Sequence, residues 1–407
     1  MKVLRNSLVL AALMVCGMTQ AIPASDKNND ATEIAAFRKQ LTDSLSKANV
    51  VTWNIPSELE PNAKMNFYLG VKGDKPENGY PVFLYLHGSG PRANEWATGL
   101  KLAKYFNDGP SMYIVPQIPQ EGEWYRWWQR SKQWAWERIL RIVMSMPEVD
   151  KNRIYVFGIS EGGYGSQRLA SFYGDYWAAA GPMAGGEPLV NAPVENLAHV
   201  PLSFLTGDRD FMFYRYLLTK TTGEKLDSMQ HIYPNEYVHR VKLLEGYGHS
   251  IDYTPTTPWL AKHKRNAQPR HYIWENFEMD GLKRNAFYNL QVLEEESNYR
   301  TQYEFTANAD NSIDLKVDTV EYITTWKDPR WGISMLFDKK YTPAQHGHVR
   351  LFLSDQLVDL SKKVIVRING KEVFNGKVKG SKKNQTLSQE LWADPMRNFK
   401  HAVELKW

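Results

Sequence analysis

A chain of 407 residues exceeds what one hydrophobic core usually organises, so about two domains are expected. With 43% hydrophobic and 23% charged residues it reads as an ordinary globular protein rather than a disordered one, and a net charge of +5 permits an acidic partner without requiring one. The single cysteine excludes a disulfide framework, and the basic residues are too dispersed to mark a nucleic-acid surface.

Residues 1–21 place Lys2 and Arg5 before the apolar run Leu8 to Val15 and end in Thr19-Gln20-Ala21. That is the pattern of an export signal cleaved after Ala21, and it predicts a periplasmic or secreted protein. Cys16 offers a lipid anchor as the alternative, disfavoured because Val15 precedes it where lipidation signals want a small residue. Loss of Lys2 and Arg5 takes the charge from +5 to +3, and loss of Cys16 leaves a mature chain without thiol chemistry. No later stretch is long and apolar enough to span a membrane.

Next, residues 22–49 form a lead-in, with an amphipathic helix over Asp26 to Ser46 carried by Ile34, Phe37, Leu41 and Leu45. Strands are predicted at Asn66 to Val71, Val82 to His87 and Ser111 to Gln117, and a helix at Gln133 to Met146 stopped by Pro147. Further strands follow at Ile154 to Phe157, Trp177 to Gly181, Leu202 to Thr206 and Val241 to Glu245. Strands alternating with helical stretches imply a mostly parallel sheet covered on both faces over residues 50–274. From Glu275 the texture changes. Ser312 to Tyr322 alternates, and Val364 to Ile368 runs into Asn369-Gly370, a two-residue hairpin turn, so residues 275–407 are predicted to be an all-β module.

Chemistry concentrates at strand ends. Ile154 to Phe157 leads into Gly158-Ile159-Ser160-Glu161-Gly162, where small residues on either side let the chain turn sharply at a serine. Ser160 is the expected nucleophile. The early strand ends in His87-Gly88-Ser89-Gly90, a loop able to present a backbone donor, so the N–H groups of Ser89 and Glu161 are the expected oxyanion hole. Two later strands end in Gly207-Asp208-Arg209-Asp210 and Gly246-Tyr247-Gly248-His249, which supplies an acid and a base in the order serine, acid, histidine. His249 is the expected base; His231 and His239 precede their strand and are weaker candidates. Asp208 and Asp210 both remain open as the acid on this pattern alone.

Taken in order, LYLHGSG, GISEGGYG, LTGDRD and GYGHS resemble the prolyl-oligopeptidase and dienelactone-hydrolase side of the α/β-hydrolase superfamily, over about residues 50–274. The resemblance selects Asp210, because related hydrolases place the acid three residues after the glycine. More narrowly the chain is similar to secreted esterases of glycan-degrading bacteria, whose hydrolase core precedes a β-rich tail. Residues 257–260, 269–274 and 352–374 carry that likeness. It implies an α/β-hydrolase fold with a C-terminal β-rich module, and an exported serine ester hydrolase.

The segment Glu121 to Trp136, EGEWYRWWQRSKQWAW, should open near the nucleophile. Trp124, Trp127 and Trp128 could form a wall for a sugar ring, Arg126 or Arg130 could hold a carboxylate, and Arg92 follows the oxyanion loop. Trp134 and Trp136 are expected in the core. The arginines point to an acidic polysaccharide or oligosaccharide, with a pectic uronate methyl ester as the expected bond and an acetyl or feruloyl ester as the alternative. A peptidase of the prolyl-oligopeptidase type is a further alternative, opposed by the lack of room for a propeller before Val50. A glycan-binding protein without activity is opposed by the intact serine, aspartate and histidine. No cofactor is expected, and His346-Gly347-His348 lacks partner ligands for a metal.

Overall fold

The computed structural model describes residues 27–295 and 300–407. The export signal expected at residues 1–21, including Cys16, lies outside them. Among the described residues no helix is long and apolar enough to cross a membrane.

In the first part of the chain the elements are α1 (Lys27–Thr42), β1 (Val50–Asn54), β2 (Lys64–Lys72), β3 (Tyr80–Leu86), α2 (Arg92–Tyr105), β4 (Ser111–Pro116), α3 (Arg130–Ser145), β5 (Val149–Ile159), α4 (Glu161–Phe172), β6 (Ala179–Met183), β7 (Leu202–Gly207), α5 (Arg215–Ile232), β8 (His239–Leu244) and α6 (Thr256–Leu260). Their strands form one sheet in the order β1-β2-β4-β3-β5-β6-β7-β8. Only β2 runs against its neighbours; from β4 across to β8 every pairing is parallel. This is the α/β-hydrolase arrangement. Strands β3, β4 and β7 are buried along their whole length, because helices cover both faces. Val82, Leu84 and Leu86 join α1, α3, α4 and α5 in one core, while Phe83 and Tyr85 join α2 and α6 in the other.

The expected lead-in helix is part of that structure. Phe37 of α1 packs on Trp53 and Phe67 with ring centroids 4.7 and 5.5 Å apart, so α1 covers β1 and β2. The strand expected at Trp177 to Gly181 lies two residues later, as β6. Trp177 instead donates its indole N–H to the Leu169 carbonyl at 2.8 Å and packs against α4.

The second part comprises β9 (His271–Asn276), β10 (Glu278–Met279), β11 (Leu282–Lys283), β12 (Ala286–Phe287), β13 (Leu290–Glu294), β14 (Arg300–Ala307), β15 (Ser312–Lys327), β16 (Ser334–Pro343), β17 (His348–Leu353), β18 (Val364–Ile368), β19 (Lys371–Gly376), α7 (Lys382–Trp392) and β20 (His401–Lys406). A sheet β19-β18-β15-β14-β9, with β16 beside β15, packs against a sheet β12-β13-β17-β20. Asn369 and Gly370 close the β18–β19 hairpin with φ of 46° and 79°, the left-handed pair that such a turn requires. Two expectations need correction. The boundary at 274/275 falls inside β9, which pairs with β14 (Trp274 opposite Tyr303) and sends Tyr272 and Trp274 into the module's core. The module is also not all-β: α7 follows β19, capped by Ser381, whose hydroxyl accepts from Asn384 N–H at 3.1 Å.

Two buried ionic networks join the parts. Asp175, just after α4, is paired with Arg284 and Arg397, and Arg397 also meets Asp394 at 2.7 Å, which Arg265 contacts at 2.8 Å. In the second network Lys339 of β16 sits 2.9 Å from Glu195 and 2.6 Å from Glu275. Burial pushes the Lys339 ammonium down, and the two carboxylates more than reverse this, holding it well above its ordinary value. Removing one member of such a network leaves a buried charge uncompensated. Replacing the fully buried Arg397 by Leu is therefore expected to lower the unfolding free energy by about 3–5 kcal/mol, read from urea unfolding. A loss under about 1 kcal/mol would show that the network does not hold the two parts together.

Candidate active site

Ser160 stands between β5 and α4 with φ 57° and ψ −113°, a backbone conformation that side-chain-bearing residues rarely adopt. The surrounding glycines show why this sequence tolerates it. A Cβ on Gly162 would lie 1.9 Å from the Leu86 carbonyl oxygen, one on Gly158 2.4 Å from that of Gly162, and one on Gly163 2.4 Å from that of Met183. The elbow is thus wedged among β3, β5 and β6, and Ser160 N–H donates to the Met183 carbonyl at 2.9 Å.

His249, in the loop after β8, brings Nε2 to 3.0 Å from Ser160 Oγ and Nδ1 to 2.7 Å from Asp210 Oδ2. Asp210 is 3% exposed and also accepts from Arg215 Nε at 3.2 Å. The two loops lie backbone on backbone: a Cβ on Gly207 would sit 2.1 Å from the Gly248 carbonyl oxygen, and Arg209 N–H donates to the Tyr247 carbonyl at 2.9 Å. Asp208, the competing acid, instead accepts from Gly246 N–H at 2.9 Å and shapes the turn toward His249. His239 begins β8 rather than preceding it and engages the Tyr237 carbonyl and Asp227, while His231 lies in the last turn of α5.

The His87–Gly90 loop runs directly beside the elbow; a Cβ on Gly88 would be 3.4 Å from Ser160 Cβ. Two of its carbonyls are held by side-chain donors. Trp127 Nε1–H donates to the His87 carbonyl at 3.0 Å and the Tyr125 hydroxyl to the Gly88 carbonyl at 2.9 Å. His87 is fully buried, and burial pushes its imidazole down to about 4, so the ring stays neutral. Nδ1–H donates to the Gly88 carbonyl at 2.8 Å, leaving Nε2 to accept from Ile118 N–H at 3.2 Å. Ser89 is exposed on this loop, and Glu161 N–H occupies the first helical position of α4, where no intrahelical acceptor exists.

The tryptophan-rich segment braces the site more than it lines it. Trp127 is fully buried, packed on α4 where a Cβ on Gly165 would meet it at 2.5 Å. Trp136 is buried beside it, and Trp134 packs edge-on against Trp53 at 6.0 Å. Trp128 lies under the Arg168 guanidinium at 3.9 Å, and Arg168 pairs with Glu187 through Nε and Nη2 at 2.8 and 2.9 Å. Trp124 is half-buried and gives its carbonyl to Lys132 at 2.7 Å. Of the three arginines, only Arg126 is beside the elbow, with Nη1 3.7 Å from Glu161 Oε2. Arg92 directs its guanidinium to the Pro119 carbonyl. Arg130 is the first residue of α3, its backbone N–H donating to Asp280 Oδ2 at 2.6 Å. Sequence reasoning missed Arg215 and Tyr125. Arg215 follows Asp210 by five residues, yet only the intervening chain reversal brings it back.

No protein-family model and no curated protein matches the chain. Among solved structures it is similar to a thermostable esterase, at 21% identity and a TM-score of 0.43, over 54% of this chain and 64% of that one. It is also similar to a ferulic acid esterase from the anaerobic fungus Anaeromyces mucronatus, at 16% identity and 0.38, over 53% and 88%. An S-formylglutathione hydrolase from Staphylococcus aureus matches at 13% identity and 0.38, over 52% and 98%. The chain thus spans just under two thirds of the first of these. The chemistry rests on the site's own atoms.

Glu161 supplies the most perturbed carboxyl of the site. Burial raises it to about 7 against the partial opposition of Arg126, and Glu187 adds to the rise. Because the folded carboxyl holds its proton where the unfolded one has lost it, wild-type stability should be full near pH 4.5 and decline as pH rises toward 7, by on the order of 3 kcal/mol. Glu161→Gln should flatten that slope in urea unfolding across the same window; an unchanged slope would contradict the assignment.

Proposed function

We propose that the protein hydrolyses carboxylic esters by serine acyl transfer. The observation that carries this is the unbroken Ser160, His249 and Asp210 hydrogen-bond chain, ending on a serine at positive φ between strand and helix. Ser160 Oγ attacks the ester carbonyl carbon as His249 Nε2 takes the hydroxyl proton. Asp210 holds the Nδ1–H tautomer and stabilises the imidazolium. The carbonyl oxygen becomes an oxyanion and is met by the N–H groups of Glu161 and Ser89. Collapse breaks the carbon–oxygen bond to the alcohol, which leaves with the proton from Nε2. Water then repeats the sequence on the acyl-enzyme, releasing the acid and restoring Ser160.

The proposed setting is an exported esterase acting on ester-decorated polysaccharide. For a uronate methyl ester the supporting cation is Arg126, the one predicted arginine beside the elbow, and Glu161 already faces it. The surface next to Asp210 favours a different bond. Phe211, Met212 and Phe213 are 62%, 62% and 49% exposed, an apolar cluster suited to an aromatic acyl group such as ferulate. An aromatic acyl ester is therefore the reading the site supports best, with the uronate methyl ester second.

Ser160→Ala should keep the fold and lose about 10⁴-fold or more of turnover on p-nitrophenyl acetate, while an aminoacyl p-nitroanilide should be inert to both proteins. Retained ester turnover in the variant would refute the nucleophile. Release of ferulate, acetate or methanol from the corresponding esterified polysaccharides then fixes the bond. If methanol dominates, Arg126→Ala should raise KM on methylated pectin more than on p-nitrophenyl acetate, and added salt should weaken only the former.

A further inference from the structure

The long hairpin β15–β16 leaves the C-terminal module and ends on the segment that follows Asp210. Its strands pair as far as Trp326 opposite Leu336 and Lys327 opposite Ser334. The tip beyond them is a closed loop. Asp328 N–H donates to the Ile333 carbonyl and Gly332 N–H to the Asp328 carbonyl, both at 2.8 Å, while Trp331 N–H donates to Asp328 Oδ2. The other oxygen, Oδ1, accepts the Tyr214 hydroxyl at 2.6 Å, across 114 residues of sequence. Around this bond Tyr214 meets Trp326 at 5.2 Å, and Phe213 meets Trp331 at 5.3 Å. Asp328 is 1% exposed.

What the tip grips is strained. Phe213 (φ 53°, ψ 23°) and Tyr214 (φ 56°, ψ 29°) are consecutive left-handed residues that are not glycine, an arrangement that persists only where surroundings enforce it. The reversal they create returns Arg215 to the acid. Arg215 Nε reaches Asp210 Oδ2, Nη1 donates to the Met212 carbonyl at 3.0 Å, and Tyr216 N–H donates to the Asp210 carbonyl at 3.3 Å. The oxygen held by Arg215 is the one that faces His249.

We propose that Asp328, through the Tyr214 hydroxyl, is a positioning residue for Asp210, so that the C-terminal module supplies part of the active-site geometry. This rests on the acyl-transfer reading. Released from Asp328, the left-handed pair relaxes, Arg215 loses its approach, and the Asp210 carboxylate turns off the imidazole. p-Nitrophenyl acetate carries no aromatic acyl group to rest on the Phe211 to Phe213 surface, so with that substrate the effect falls on turnover rather than on binding.

Steady-state kinetics on p-nitrophenyl acetate test this with Tyr214→Phe, Asp328→Ala and Asp328→Asn. The first two should lose about 10- to 100-fold in kcat with KM within about twofold of wild type. Asp328→Asn should recover most of the loss: its amide oxygen can take the Trp331 N–H and its NH₂ can donate to the Tyr214 hydroxyl. Wild-type kcat in Tyr214→Phe overturns the proposal alone, as does a loss in Asp328→Ala that Asn does not recover. Absence of turnover in the wild type overturns the acyl-transfer reading and this proposal with it.

Discussion

The close approach of Gly162 to the end of β3 is the constraint on which the site depends. With 1.9 Å between the Leu86 oxygen and where a Cβ would stand, only glycine allows α4 to begin there. That start sets the Ser160 backbone, places Glu161 N–H at a free helix end and brings the His87–Gly90 loop against the serine. The strain of the serine, about 1–3 kcal/mol, is small beside the burial of the three central strands that enforce it. The conformation of Ser160 is therefore a property of the sheet as much as of the residue.

The acid side is built differently. Asp210 lies in a loop, and loops at a sheet edge need external support to hold a carboxylate within hydrogen-bond distance of an imidazole. Here the support is layered: the Gly207 and Gly248 backbones touch, Arg215 reaches back, and the hairpin tip closes over Tyr214. The buried networks around Arg397 and Lys339 fix the module that carries this tip. Through the proposed Asp328–Tyr214 coupling, the module would contribute to the geometry of one carboxylate.

How much of this could be read from the chain follows the range of each interaction. The elbow, the His87–Gly90 loop, Asp210 and His249 are strand-end motifs whose chemistry is local, and the Asn369-Gly370 turn carries its own backbone signal. Side-chain directions were another matter. The Arg130 N–H meets Asp280, 150 residues away, Arg92 meets Pro119, and Trp127 is core because Gly165 leaves room for its ring. None of these partners has a fixed spacing from the residue it engages. The same holds for Tyr214 and Asp328, and for β9, whose texture gives no hint that it belongs to the second sheet.

Ser160 is the proposed activated nucleophile, and its covalent reactivity can be measured without knowing the substrate. Treating the intact protein with a fluorophosphonate and weighing it by mass spectrometry should give one adduct, located on Ser160 by peptide mapping, with His249→Ala and Ser160→Ala both unlabelled. No adduct on the wild-type protein, or an adduct on a different residue, would contradict that role.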